Sequence, residues 1–304
     1  MVREDRRAWL LNFDAEDELA RPTGYTLSPA TALRFQALAD RVRALLGPAD
    51  VVLAESAAGE PAPILAGFTG MAWCPTPRAR RCLSRAGTSA PAGPPLTVLR
   101  TVNHRAFSAS LGQTLPGAFF ASTLEEVTTT ISAPSPTGTW LLKRPFGFAG
   151  RGRLKIDLAR PGDLRHATPW IEASLRTWDG LQVEPLVDRT ADFALHGFVH
   201  ESGALVLGHP TRQLCDDTGA WLGSTRAAPG DLTREEADSL HEQTHIAAAA
   251  LSRAGYFGPF GVDAFRWRDP AGHPRWNARG EINARYSMGW PVGMGDVRPD
   301  LDTR

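Results

Sequence analysis

The sequence predicts a mixed α/β (α+β) fold, and three observations carry that prediction. Strand and helix patterns alternate through the first hundred residues. A lysine and a glycine-rich loop lie between two apolar runs in the middle of the chain. Near the C-terminus, two aromatic-rich runs bracket a turn, which is a hairpin signal.

In the N-terminal part, residues 8–13 (Ala-Trp-Leu-Leu-Asn-Phe) read as a first strand and Asp14 to Glu18 as an acidic loop. Leu33, Ala37, Leu38, Val42 and Leu45 recur at helical spacing over 29–46, until Gly47-Pro48 stops the helix. Val51 to Leu53 reads as a second strand. Pro63 to Trp73 is a third apolar stretch ahead of Cys74-Pro75-Thr76-Pro77. Ala86 to Pro95 reads as a loop or linker. Leu96 to Arg100 is expected as a strand leading into a helix around Asn103. This alternation implies a small α/β pre-domain with a parallel sheet.

In the middle of the chain, Pro134 to Gly138 forms a turn before the apolar run Thr139 to Leu142, which ends at Lys143. Arg144-Pro145-Phe146-Gly147-Phe148-Ala149-Gly150-Arg151-Gly152 follows, then the apolar run Leu154 to Leu158. Such a hairpin tip can fold over phosphates, because glycines let backbone N–H groups approach the oxygens and an ammonium is a compact point charge. Of the 33 basic residues only Lys143 and Lys155 are lysines, so a retained lysine implies work that arginine does less well. The loop is neither a Walker A loop, which needs Gly-Lys-Ser/Thr before a helix, nor a Rossmann GxGxxG.

Toward the C-terminus, Ala191 to Val199 and Ala204 to Gly208 read as a hairpin, and 232–253 as a helix capped by Thr233 and stopped at Gly255. Phe260 to Trp267 and Trp276 to Asn283 flank Asp269-Pro270-Ala271-Gly272. Symmetric pairing puts Asp263 opposite Gly280 or Glu281, and a one-residue bulge at Gly280 sets Glu281 beside it. Glu281 and Asn283 share a face. Facing carboxylates repel unless a cation lies between them, and an Asp, Glu and Asn set suits a hard ion such as Mg²⁺. Taken alone, the hairpin also reads as acidic residues on a solvated edge.

Read in order, five segments resemble the ATP-grasp superfamily over about residues 100 to 290. They are Val102-Asn103-His104-Arg105-Ala106-Phe107 with Leu115-Pro116; Leu142-Lys143-Arg144-Pro145 with its glycine loop; Val183-Glu184-Pro185-Leu186-Val187; Gly261-Val262-Asp263; and Glu281-Ile282-Asn283-Ala284-Arg285. The resemblance implies the ATP-grasp fold: a pre-domain (1–100), a lid subdomain (101–195) and a C-terminal subdomain (196–304), the last two clamping the nucleotide. It implies ATP and Mg²⁺ (or Mn²⁺) as cofactors. Lys143 would hold the α- and β-phosphates, with Gly147, Phe148, Ala149, Gly150 and Gly152 closing over them. Glu184, Pro185, Leu186 and Val187 would read adenine through backbone groups, and Asp188 would touch the ribose. Asp263, Glu281 and Asn283 would hold metal, while Arg285 and Lys143 would be catalytic. Arg105 stands where the family usually has lysine, which puts its phosphate contact in doubt. The implied reaction activates a carboxylate as an acyl-phosphate for attack by an amine or another nucleophile. The Arg285-Tyr286-Ser287 continuation looks closer to ligases of amino acids and small metabolites than to D-alanine ligases, so Arg285 and Ser287 would face substrate. Arg212 and Gln213, after a strand pattern, read either as contacts to phosphate or a substrate carboxylate or as a solvated pair.

The 33 basic and 33 acidic residues cancel, leaving no electrostatic footprint for nucleic acid or an anionic membrane. No apolar run approaches the roughly 20 residues that span a bilayer, and the N-terminus lacks a signal-peptide pattern. Cys74, Cys82 and Cys215 make neither a disulfide framework nor a zinc spacing. The expected protein is cytoplasmic, acts on small molecules, and is compatible with a homodimer. Two rival readings stand: a non-catalytic ATP-binding module, and a zinc peptidase built on His241-Glu242-Gln243-Thr244-His245. Trp267, Trp276 and Trp290 read as core packing or as ligand-stacking residues.

Overall fold

The computed structural model describes residues 6–54, 64–113, 115–147, 152–160, 162–215 and 221–301. Its N-terminal part contains β1 (Arg7–Leu10), α1 (Ala15–Ala20), α2 (Pro29–Ala39), β2 (Val51–Val52), β3 (Thr69–Ala72), α3 (Pro77–Arg85), α4 (Leu96–Asn103) and α5 (Arg105–Ser110). The first sheet is parallel, ordered β2-β1-β3, as the alternating pattern predicts. The helix expected over 29–46 is α2 followed by a 3₁₀ turn, Asp40–Leu45. Ser28 caps α2, accepting a bond from the Thr31 N–H.

Two local expectations are corrected. The acidic run after β1 is the first turn of α1 rather than a loop, and Asp14, Glu16 and Glu18 are buried. Arg78 of α3 explains this burial in part, reaching Asp14 at 2.5 Å and Glu18 at 3.2 Å. Leu96 to Arg100 belongs to α4, not to a strand. Branched Thr97 and Val98 favour strands locally, but Pro95 heads a helix well. Helical spacing buries Leu99 and Val102 together in the main core.

The middle part holds β4 (Phe119–Ala121), α6 (Leu124–Ser132), β5 (Thr139–Lys143), β6 (Arg153–Asp157), α7 (Asp163–Thr177) and β7 (Leu181–Pro185). Its strands form an antiparallel sheet ordered β4-β7-β5-β6. Helices α6 and α7 cover one face, where Val127, Ile131 and Ile171 pack on Trp140, Leu142, Ile156 and Val183. Side chains alternate along a strand, so Lys143, Gln182 and Glu184 turn to the uncovered face.

The C-terminal part holds β8 (Asp188–Val199), β9 (Leu205–Leu207), β10 (Thr211–Cys215), β11 (Trp221–Arg226), α8 (Arg234–Arg253), β12 (Gly258–Arg268), β13 (Pro274–Asn283) and α9 (Trp290–Met294). The sheet runs β11-β10-β8-β12-β13, with β9 paired to β8. Thr233 and Glu236 close a capping box on α8. Helix α8 covers one face, packing on Leu195, Ala264 and Val262. The other face looks toward the middle sheet. Trp276 packs on Phe193 and donates to Ser239, Trp290 is fully buried, and Trp267 joins Phe265 and Leu115 in a small apolar cluster.

Arg78→Met leaves Asp14 and Glu18 buried without their cation. Urea unfolding should show a loss of about 3–5 kcal/mol in stability.

Candidate active site

Strands β12 and β13 pair antiparallel, with Asp263 directly opposite Glu281 and Gly261 opposite Asn283. The bulge is larger than one residue. Phe265 pairs with Asn277 while Asp263 pairs with Glu281, so Ala278, Arg279 and Gly280 together face Ala264. Gly280 suits this bend because a Cβ there would lie 2.8 Å from the Phe265 ring. The bulge brings two carboxylates and the Asn283 amide onto the face opposite α8.

The middle sheet presents cations to this face. Lys143 is buried at the end of β5 and pairs with Glu184 of β7, whereas Lys155 is exposed. Burial pushes the Lys143 pKa below its ordinary value, while the Glu184 charge pulls the other way. Arg105 spans the two sheets. Its Nη2 donates to Glu281 Oε1 at 2.6 Å and its Nη1 to the Arg144 carbonyl at 2.7 Å. Arg153, opposite Lys143 in β6, and Arg189, whose guanidinium lies 3.9 Å from the centre of the Phe265 ring, add positive charge. Burial raises the Glu281 pKa, but Arg105, Lys143, Arg153 and Arg285 outweigh it and the net shift is downward. A cavity of 480 Å³ opens here, lined among others by Asn103, Arg105, Lys143, Glu184, Gly280 and Glu281.

Among the described residues, Asp263 has only neutral hydrogen-bond donors. Gln213 Nε2 donates to Oδ1 and Asn283 Nδ2 to Oδ2, each at 3.0 Å. Burial, then the Glu281 charge, raises its pKa from 3.8 to about 6. An under-compensated carboxylate beside another fits a divalent hard cation, and Asn283, whose Nδ2 faces Asp263 and whose Oδ1 accepts from Arg285, joins that donor set only if its amide turns. Arg285 is buried next to this set. It donates to Asn283 Oδ1 at 3.0 Å and to the Tyr286 carbonyl at 2.8 Å, and it pairs with buried Glu16 of α1.

The remaining predicted residues fall as follows. Pro185 ends β7, and the Leu186 N–H is already bonded to the Thr139 carbonyl at 2.9 Å, so Leu186 is not a free backbone donor. Val187 packs beside Phe265 and Trp267. Asp188 is exposed at the start of β8. Gly147 and Gly152 flank the loop tip, and the Gly152 carbonyl accepts from Arg144 N–H at 2.9 Å; Phe148, Ala149 and Gly150 lie outside the described residues. Ser287 keeps its Oγ buried and without a partner among the described residues. Arg212 is not brought to the site. Strand alternation turns it to the α8 side, where it pairs with Asp231 at 2.9 Å, and it is Gln213 that faces Asp263.

Sequence reading missed Glu16, Arg153 and Arg189. Arg153 was within reach, since it opens the strand that must pair with the Lys143 strand. The histidines of the HEQTH segment border the buried stripe of Leu240, Ala247, Ala248 and Leu251, and the rival zinc reading finds no support among the described residues. Helix α8 lies on the opposite sheet face from Glu281, His245 is exposed, and among the described residues no group of three His, Cys, Asp or Glu side chains is placed to hold a metal ion.

No family model matches the chain, and no curated protein is significantly similar to it. Solved structures do share its architecture. One is biotin carboxylase from Campylobacter jejuni in a β-γ-ATP complex, with TM-score 0.56 and 14% identity over 95% of this chain and 67% of that one. D-alanyl-alanine synthetase A from Vibrio cholerae gives TM-score 0.52 and 12% identity over 95% of this chain and 92% of that one. N5-carboxyaminoimidazole synthetase from Staphylococcus aureus, complexed with ADP, gives 0.54 and 11% over 93% and 71%. The chain has the ATP-grasp fold, an α+β architecture. Among the described residues, no helix is long and apolar enough to cross a membrane.

The Asp263 shift sets a pH dependence. Its pKa is higher folded than unfolded, so the folded protein binds the proton more tightly between about 3.9 and 6, and stability falls as pH rises through that window. Asp263→Asn should therefore raise the unfolding free energy at neutral pH by roughly 1–3 kcal/mol. That gain should shrink to nothing below about pH 4 in denaturant titrations.

Proposed function

We propose that this protein is an ATP- and Mg²⁺-dependent ligase that activates a carboxylate as an acyl-phosphate for attack by an amine or another nucleophile. The observation that carries the reading is the opposition of Asp263 to Glu281, with Asn283 on the same face and Lys143 and Arg105 set against them. Asp263, Glu281 and Asn283 would hold Mg²⁺ (or Mn²⁺), which when bound supplies charge neutralisation at the β- and γ-phosphate oxygens.

Lys143 holds its ammonium against the α- and β-phosphates, exchanging Glu184 for a phosphate oxygen. Arg105 takes the place of the usual lysine and offers two donors rather than one. Pro185 and Val187 border the base. Arg285 meets the charge that develops on the transferring phosphoryl group, held in orientation by Glu16 and Asn283. Catalysis is then positioning and electrostatics, with proximity doing most of the work. The substrates are small molecules of the amino-acid or metabolite kind. The three units expected over 1–100, 101–195 and 196–304 divide the labour as pre-domain, lid and metal-bearing subdomain, in a cytoplasmic protein. The first boundary moves past α4 and the last to the start of β8, since the expected bounds cut both elements.

The experiment is an ADP-release screen over pools of acids and amines. Wild type should release ADP only with a matched pair, and Lys143→Ala and Glu281→Ala should each lower kcat/KM by about a hundredfold or more. Equal release by wild type and Glu281→Ala would sink the metal site. Tight Mg·ATP binding with no release from any pair would favour a non-catalytic nucleotide-binding module.

A further inference from the structure

Each cation that the proposed reaction assigns to phosphate already has a carboxylate partner inside the protein. Lys143 pairs with Glu184 and Arg105 with Glu281. The second pair differs from the first, because both of its members have work to do on the ligand: Arg105 toward phosphate and Glu281 toward metal. The pair is well made. Nη2 and Oε1 lie 2.6 Å apart, and the Arg105 side chain is only 11% exposed. Its other nitrogen is fixed on the Arg144 carbonyl, and its backbone N–H on the Pro145 carbonyl at 3.1 Å. Turning the Nη2 edge of the guanidinium to a phosphate gives up Glu281 Oε1, and a metal that takes both Glu281 oxygens displaces Arg105 from Oε1.

We infer that Arg105 and Glu281 form an exchange pair that couples nucleotide binding to metal binding. A divalent cation at Glu281 and Asp263 releases Arg105 to the polyphosphate, and a polyphosphate at Arg105 releases Glu281 to the cation. A ligand that takes one member of the pair by itself leaves the other uncompensated. Both together replace it with two new pairings. Coupling of this kind is reciprocal by linkage, so each ligand raises the affinity of the other by the same factor. Asp263 has no such role, because its partners Gln213 and Asn283 are neutral. This inference rests on the ATP and Mg²⁺ reading above and adds to it a specific source of coupling.

The test is equilibrium binding of ADP in EDTA and in Mg²⁺, measured by calorimetry on the full chain. Glu281→Gln should bind metal-free ADP about fivefold or more tightly than wild type, because Arg105 is set free in advance. Asp263→Asn removes the same formal charge and should show much less gain. The double variant Glu281→Gln with Arg105→Gln should lose the gain altogether. Should Glu281→Gln fail to fold, Arg105→Gln gives the reciprocal reading: Mn²⁺ alone, without nucleotide, should bind it about fivefold or more tightly than wild type. Wild type that binds Mg·ADP, with no gain in Glu281→Gln or an equal gain in Asp263→Asn, overturns the exchange pair and leaves the ligase reading standing. Absence of ADP binding to wild type even in Mg²⁺ overturns both.

Discussion

Two carboxylates side by side on one sheet face repel each other, and this site is organised around how that repulsion is met. The bulge in β13 forces the opposition, since without its extra residues Glu281 would be out of register with Asp263. The two acids are then treated unequally. Glu281 receives cations from the facing sheet and its pKa falls, whereas Asp263, among the described residues, accepts from amides alone, and its pKa rises despite the Arg189 charge. One acid is compensated in advance and the other is left needing a charge. A binding site for a cation has to carry such a deficit somewhere, because a fully neutralised acidic pair would gain little from metal.

The deficit is tied to the N-terminal part through a continuous polar chain. Glu16 of α1 holds Arg285, Arg285 holds Asn283 Oδ1, Asn283 holds Asp263, and Gln213 closes the far side. Buried pairs such as Glu16 with Arg285 add little net stability over apolar packing, since desolvation offsets most of the attraction. Their effect here is orientation. The amide of Asn283 is fixed with its oxygen toward Arg285 and its nitrogen toward Asp263, and Arg285 is aimed by Glu16 of α1. Glu16 Oε2 remains buried without a hydrogen-bond partner among the described residues.

The parts of this site that were legible in the sequence are those whose determinants are local. Alternation and a turn locate Asp263, Glu281 and Asn283, and a lysine between a strand and a glycine loop locates Lys143. The unread parts depend on distant partners. The acids of α1 look like a solvated loop until Arg78 and Arg285 arrive from about 60 and 269 residues away. Arg212 and Gln213 were not separable in the sequence, and the parity of β10 decides that Gln213 faces Asp263. Leu96 to Arg100 misled because branched residues favour strands locally, while the helical pairing of Leu99 with Val102 shows only against the core. The size of the bulge was also underestimated, since a sequence shows that registers must slip but not how many residues the slip absorbs.

The same contrast between local charge and fixed geometry explains the departure at position 105. A lysine there would place one point charge, free to rotate, near whichever acceptor attracts it most. The arginine fork satisfies two acceptors at fixed angles, the Arg144 carbonyl on one sheet and Glu281 on the other. It thus joins the base of the glycine loop to the β12–β13 hairpin through a single side chain. Lys143 has a different setting, buried at a strand end on the wall of the cavity, where a compact ammonium pairs with Glu184. In a chain that uses arginine almost everywhere, the one buried lysine and the bridging arginine occupy the positions where their shapes are least interchangeable.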